Sequence, residues 1–310
     1  MDQKNEQTII TKINTITPTQ AYLISLGADT SRTTVKTHLT QLARLLDIGD
    51  YNQIPWHQFT RQHLLAVIQS LKNQGKAPTT IKSYLATIKG VCREAWAAGI
   101  MTTDTFTHIK EVRAPRGSWM PKGRSLSVAE VQQLLSICAG DKSCRGVRDA
   151  AIIAIMVGCG LRRAEVVGLQ YDNLIHRDQA IRIMGKGNQE RINHLPEFAW
   201  QHLYRWIEEV RGDIAGPIFT RIRAGDDVTT NALTVNGLAK ILEYRRIESL
   251  WVEAFSPHDL RRTYASRLLE MNTDLNTVKD LMGHASITTT QKYDHRDKKR
   301  LAQAGRNIRY

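Results

Sequence analysis

No run of apolar residues in this 310-residue chain approaches the ~18–20 that a membrane-spanning helix needs. The longest, Ala150 to Leu161, is broken by Gly158 and Gly160 and reads as a buried helix that stops. Cysteine is scarce. Cys92, Cys138, Cys144 and Cys159 form no CxxC pair and have no histidine at finger spacing, so free thiols in a reducing compartment are expected. The opening residues, MDQKNEQTII, fit neither a secretory signal nor an Arg-rich transit peptide, and a cytoplasmic protein is expected. GxxxxGK[ST] and HExxH are missing, as are Cys/His clusters, so any chemistry is expected to need neither ATP, a cofactor nor a catalytic metal. Acidic residues are outnumbered, 30 Asp+Glu against 43 Lys+Arg, for a net +13. That excess points to a polyanion partner, most often nucleic acid, without saying what is done to it.

What is present is ordinary globular composition, 42% hydrophobic and 24% charged, in a length that predicts two domains. After an aperiodic stretch of ~15 residues, helical periodicity dominates. Ser31 to Leu46 carries Val35, Leu39, Leu42, Leu45 and Leu46 on one stripe, with Ser31 as the expected N-cap. Thr60 to Asn73 repeats this through Leu64, Leu65, Val67, Ile68 and Leu71, and Pro78 to Ala98 through Ile81, Leu85, Ile88, Val91 and Trp96. These make a small all-α domain. Residues 99–126 break the periodicity with Gly99, Pro115, Gly117, Pro121 and Gly123 and are expected to be a basic linker. It is either a solvated tether or a segment lying along a polyanion.

A capping box, Ser127-x-x-Glu130, opens the second domain. Helices are expected over Val147–Met156, Arg162–Leu169, Glu197–Val210, Val235–Ile247, Pro257–Met271 and Thr273–Met282. Between them, Ala180–Met184 and Arg191–Leu195 alternate about Gly185-Lys186-Gly187 and predict a β-hairpin. No internal repeat is visible.

Several cationic and imidazole residues fall near element ends. Taken singly, each has an ordinary explanation. Arg162 and Glu165 suit a surface i,i+3 ion pair, although Glu165 could also hold Arg162 in one orientation. Lys186 suits a solvated turn lysine, and His258 and Arg261 suit a surface pair on one helical face. His284, after Gly283, suits a helix-terminal histidine, and Tyr293 suits packing.

Together, their order and spacing resemble the tyrosine recombinase (phage-integrase-like) family, with spacing most like its Xer-type branch. The flanking words GLRRAEVVGL, GKGNQERINHLP, SPHDLRRTYAS and LMGHASITTTQKYDH resemble it too. The resemblance covers Ser125 to the C-terminus and, more diffusely, the helical N-terminal domain. It implies a mainly α fold with a small β-sheet, in which an N-terminal core-binding (SAM-like) domain precedes the catalytic domain. The expected organisation is a flexible tail over 1–15, the core-binding domain over 16–110, a basic linker over 111–124 and the catalytic domain with its C-terminal tail over 125–310.

The resemblance makes Arg162, Lys186, His258, Arg261, His284 and Tyr293 the catalytic residues. Tyr293 would be the nucleophile, giving a 3′-phosphotyrosyl link and a free 5′-hydroxyl. The roles make physical sense, because breaking a phosphodiester without metal requires protein donors around the pentacoordinate phosphorus. Arg162 and Arg261 can offer planar N–H forks to its non-bridging oxygens. His284, by resemblance, adds a hydrogen bond, and Lys186 is placed to protonate the leaving oxygen. His258 is the best candidate to take the phenol proton. Tyr264 should pack, and Tyr310 has no helical anchor.

The implied partners are double-stranded DNA with a specific core site, gripped from two faces by the two domains, and further copies of the chain in a tetramer on two sites. Accessory DNA-bending proteins are compatible with this, and no membrane is implied. Strands would exchange through a Holliday junction for integration, excision or resolution. The helix with Lys36 and Arg44 and that with Lys82, Lys89 and Arg93 are the expected groove visitors. The basic residues after Tyr293 either dock on a neighbour or lie on DNA. Two rivals are DNA relaxation by a type IB topoisomerase and a non-catalytic architectural DNA-binding protein. Both domains are basic: residues 1–115 carry 13 basic and 8 acidic residues, and residues 116–310 carry 30 and 22.

Overall fold

The structure is a computed structural model and describes residues 16–115, 123–185, 190–284, 286–291 and 293. The chain divides into two compact units, residues 1–121 and 122–310.

Among the described residues the first unit holds five α-helices: α1 (Pro18–Ser25), α2 (Asp29–Leu45), α3 (Arg61–Asn73), α4 (Pro78–Ala97) and α5 (Thr103–Lys110). The apolar stripes meet in one core containing Leu39, Leu42, Leu64, Leu71, Ile81, Ile88 and Val91. Three local expectations need correction. Helix α2 begins two residues before Ser31, with Ala28 at the cap and no side-chain cap bond, so Ser31 lies inside the helix. Leu65 and Trp96 lie outside the core; Trp96 instead stacks on Phe106 and donates to Thr103 Oγ1 at 3.1 Å. Finally, the stretch read as aperiodic linker from residue 99 contains α5. Gly99, in the left-handed region at φ +71°, turns the chain after α4. Thr102 then caps α5 through Thr105 N, and Ile109 is fully buried. Lys89 closes the far end, its Nζ donating to the carbonyls of Lys110 (2.8 Å) and Val112 (2.5 Å). This side chain, expected to visit DNA, is thus committed to backbone, and burial lowers its pKa.

The second unit is built on α7 (Cys144–Cys159), whose residues Ala151 to Met156 are fully buried. Packed around it are α6 (Val128–Gly140), α9 (Glu197–Trp206, continued by a π turn over Ile207–Arg211) and α11 (Pro257–Glu270). The Ser127–Glu130 capping box forms as expected, and Arg124 grips Glu130 with two N–H groups, holding that carboxyl at about 2. Strands β1 (Leu174–Ile175), β2 (Ala180–Met184) and β3 (Glu190–His194) form an antiparallel sheet in that order, with Ile181 opposite Asn193. A second ribbon, β4 (Thr220–Ile222) with β5 (Val228–Ala232), was not legible in the sequence, because a bulge interrupts its short pairing.

The unit is completed by α8 (Arg163–Gly168), α10 (Val235–Glu248), α12 (Leu275–Met282) and α13 (Ile287–Gln291). Helix α12 starts two residues later than its periodicity suggests, because Asp274 caps it by accepting from Asn276 N and Thr277 N. Arg245, only 1% exposed, meets Asp149 (2.9 Å), Asp141 (2.6 Å) and Glu248 (2.9 Å) and ties α10 to α7. Buried charges of this kind are tolerated only when paired. All four cysteines are free. Among the described residues no helix is long and apolar enough to cross a membrane, and no three His, Cys, Asp or Glu side chains could together hold a metal ion.

Candidate active site

Helix α7 ends at Gly160, which adopts the left-handed conformation (φ +61°) of a helix stop, and a Cβ there would also lie 2.3 Å from the Tyr264 ring. Tyr264 is therefore a packing residue, and burial raises its pKa. The sharp stop places Arg162 at the N-cap of α8.

Arg162 and Glu165 do form the i,i+3 pair, but not as a surface decoration. The Glu165 side chain is 7% exposed and serves as a hub. It accepts from Arg162 N at 2.8 Å and Arg162 Nη1 at 2.7 Å. It also accepts from Arg191 Nη1 at 3.2 Å and Nη2 at 2.9 Å, and lies 3.8 Å from Arg261. Burial pushes the Glu165 carboxyl upward, but its bonds to Arg191 and Arg162 outweigh that and hold it low.

Arg261, on α11, is 1% exposed, and donates from Nη1 to Gly160 O (2.5 Å) and from Nη2 to Met282 O. Burial, with Arg162 nearby, lowers its pKa to about 10. Two of its N–H groups are thus engaged with the ends of α7 and α12, and the rest of its fork remains for a ligand. Arg162 Nη2 reaches Gly283 O at 3.0 Å, and its side chain is 41% exposed. One carboxylate thus orients two arginines that are 99 positions apart in the chain.

Gly283 ends α12 in the left-handed region (φ +58°) and delivers His284, which is buried. His284 Nδ1 lies 2.9 Å from Thr290 Oγ1 on α13, which fixes the ring. Burial first, then Arg261 and Arg162, depress its pKa to about 4. Tyr293 is buried three residues past Thr290, with its ring stacked on His284 at 6.1 Å between centroids. Its Oη lies 3.1 Å from Nε2 of His258, at the start of α11. Burial, then Arg261 and Arg262, lower the His258 pKa, which favours the neutral imidazole, the form that accepts a proton.

Five of the six expected residues (Arg162, His258, Arg261, His284 and Tyr293) are therefore brought together by α8, α11, the turn after α12 and the end of α13. Lys186 lies outside the described residues, as do Tyr310 and the tail after Tyr293; strands β2 and β3 flank Lys186. Sequence reasoning missed Arg191 and Asn193. In β3, Arg191 and Asn193 face inward while Ile192 is exposed beside Glu190 and His194, so the inner face is the polar one. Asn193 Nδ2 donates to Cys159 O and Leu281 O, both at 3.1 Å, so the strand's inner face meets helix-end carbonyls rather than hydrocarbon. The available signal was an Arg and an Asn two apart, hence on one face of a hairpin strand whose single apolar residue, Ile192, falls on the other.

Comparison with known proteins places both units in known families. The phage integrase family pattern matches residues 124–300, and the phage integrase N-terminal SAM-like domain matches residues 20–99. Tyrosine recombinase XerD of Listeria monocytogenes is 33% identical over 242 residues, covering 78% of this chain and 80% of that protein. Tyrosine recombinase XerC of Vibrio atlanticus is 31% identical over 274 residues, covering 86% and 82%. A solved structure of a lambda integrase(75–356) dimer bound to a COC′ core site superposes with a TM-score of 0.68 at 19% identity. It covers 89% of this chain and 93% of that one, a likeness of fold.

Proposed function

The chain belongs to the phage integrase family and is a tyrosine-type site-specific recombinase, and on that premise we propose that it cleaves and rejoins duplex DNA at a core site through a covalent link to Tyr293. The observation that carries this reading is the 3.1 Å approach of Tyr293 Oη to His258 Nε2, next to Arg261 and His284. Tyr293 Oη attacks the phosphorus as its proton passes to His258. A phosphorus–oxygen bond to tyrosine forms and the bond to the 5′-oxygen breaks. That oxygen takes a proton from Lys186 and leaves as a 5′-hydroxyl, with the 3′-phosphate held on tyrosine.

Charge on the pentacoordinate phosphorus is met by Arg162 and the uncommitted N–H groups of Arg261, held in place by Glu165 before substrate arrives. Such preorganisation costs no rearrangement during reaction. The phosphotyrosine retains the bond energy, so a 5′-hydroxyl from another strand reverses the step without ATP. Exchange between two sites, carried by four protomers, then passes through a Holliday junction. In the first unit, Arg61, Lys82, Lys110 and Arg113 line one shallow depression and supply phosphate contacts.

The test uses a pool of random-sequence duplexes, each nicked so that the short strand released by cleavage diffuses away. The wild-type chain is expected to capture DNA covalently, and sequencing that DNA identifies the core site. Tyr293→Phe is expected to capture none. An adduct formed by the Phe variant, or none formed by the wild type, refutes the mechanism.

A further inference from the structure

Among the described residues, Arg262, next to Arg261 on α11, is a buried guanidinium with no carboxylate within hydrogen-bond distance. Its side chain is 11% exposed, and its Nε has no hydrogen-bond partner among the described residues. The nearest carboxylate, Asp259, lies 3.7 Å away, too far for a hydrogen bond. The Asp259 oxygens are already occupied. Oδ2 accepts from Ser256 N (2.8 Å) and Ser256 Oγ (2.9 Å), while Oδ1 accepts from Arg124 N (3.1 Å). Gly123 closes the other side, since a Cβ there would lie 3.0 Å from Arg262 Nη2. The group that Arg262 does face is Tyr293: its Cζ sits 5.5 Å from the ring centroid, within cation–π range.

Removing a guanidinium from water and leaving it underpaired is costly, and Arg245 and Arg148 of this unit avoid that state. Arg245 has three carboxylates and Arg148 has Asp149 at 2.8 Å. Resting on the assignment of Tyr293 as nucleophile, we propose that Arg262 is a positioning residue for strand cleavage. It holds the Tyr293 ring and receives a negative charge in the developing phenolate, with no carboxylate hydrogen-bonded to it among the described residues. Its attraction for the ring strengthens as the phenol loses its proton, so it acts on the step and not only on the fold. Among the described residues, the charged and titratable groups around the phenol are His258, Asp259 and Arg261 on α11, His284 after α12, and Arg162 and Glu165 at α8. Asp259 is the nearby carboxylate on α11, and it is turned to Ser256 and Arg124. Arg262 also opposes protonation of His258, which keeps the acceptor ready.

The experiment measures single-turnover adduct formation between pH 6 and 10 on the nicked core-site duplex, with DNA binding and thermal unfolding recorded in parallel. Arg262→Gln is expected to slow the adduct about five- to thirty-fold at pH 7, the range of a desolvated cation–π contact, with DNA affinity unchanged. That deficit should shrink at alkaline pH, where hydroxide removes the phenol proton unaided. Arg262→Lys, which keeps the charge, should recover most of the rate. An equal deficit at every pH, or equal deficits in the Gln and Lys variants, overturns the proposal in favour of a purely structural role. Wild-type failure to form the adduct overturns instead the assignment of Tyr293. Should Arg262→Gln not fold, Arg262→Lys against Arg262→Met at matched stability decides the same question.

Discussion

Glu165→Gln removes one charge from the centre of the site at almost constant volume. Glu165 faces Arg191 at 2.9 Å and Arg261 at 3.8 Å, both largely buried. At an effective dielectric constant of ~20, each contact amounts to about 4–6 kcal/mol of gross attraction. Most of that is offset by the cost of desolvating the carboxylate. The Arg162 contact adds less than about 1 kcal/mol, because that side chain is 41% exposed and screened. Breaking a buried pair leaves its partner charge uncompensated, which costs about 3–5 kcal/mol. For a unit of this size that lowers Tm by on the order of 10 °C.

The pH dependence has a definite sign. The folded-state pKa of Glu165 is depressed, so its contribution is fully present above the ordinary glutamate value of about 4.3. It is lost as pH falls through the lower folded-state value. Calorimetric unfolding of wild type and Glu165→Gln should therefore show a constant gap from pH 6 to 8 that closes in stronger acid. A Tm change under about 2 °C at pH 7, or a gap that persists below the carboxylate range, refutes the hub assignment.

Three further outcomes are expected. Lys186→Ala should slow cleavage of an ordinary duplex strongly, yet recover on a duplex whose leaving 5′-oxygen is replaced by sulfur, which needs no proton; no recovery removes Lys186 from the leaving-group role. The His284 pKa, about 4 in the fold, lies below the unfolded value of about 6.5. The unfolded chain therefore takes up the proton first, and stability falls as pH drops through that window. Between pH 7 and 5 the His284 share of the loss is roughly 1–2 kcal/mol by denaturant titration, and the total loss should be smaller by that amount in His284→Gln. Gly160→Ala must hold a Cβ at φ +61° and 2.3 Å from the Tyr264 ring, and should cost about 3 kcal/mol in the same titration. Gly168→Ala, with nothing within 4 Å, should cost under about 0.5 kcal/mol.

The net charge of +13, the helical stripes, the Ser127–Glu130 cap and the β2–β3 hairpin were legible in the sequence, because each depends on residues close together in the chain or on composition. The order and spacing of the six residues carried the family resemblance by themselves. Short or irregular elements were not legible. Helix α5 has eight residues with one fully buried anchor, and the β4–β5 ribbon is bulged, so neither offers enough periods to stand out. Tertiary structure alone decided how the site is held. Whether Glu165 is a surface partner or a buried hub depends on Arg191, 26 residues away, and Arg261, 96 away, arriving on the same carboxylate. The inward turn of Arg191 and Asn193 depends on helix-end carbonyls waiting for them, and the interest of Arg262 depends on Asp259 being already occupied. Local pattern reflects energies that act along the chain. Charge pairing and desolvation act through space, and only the folded chain brings these charges together.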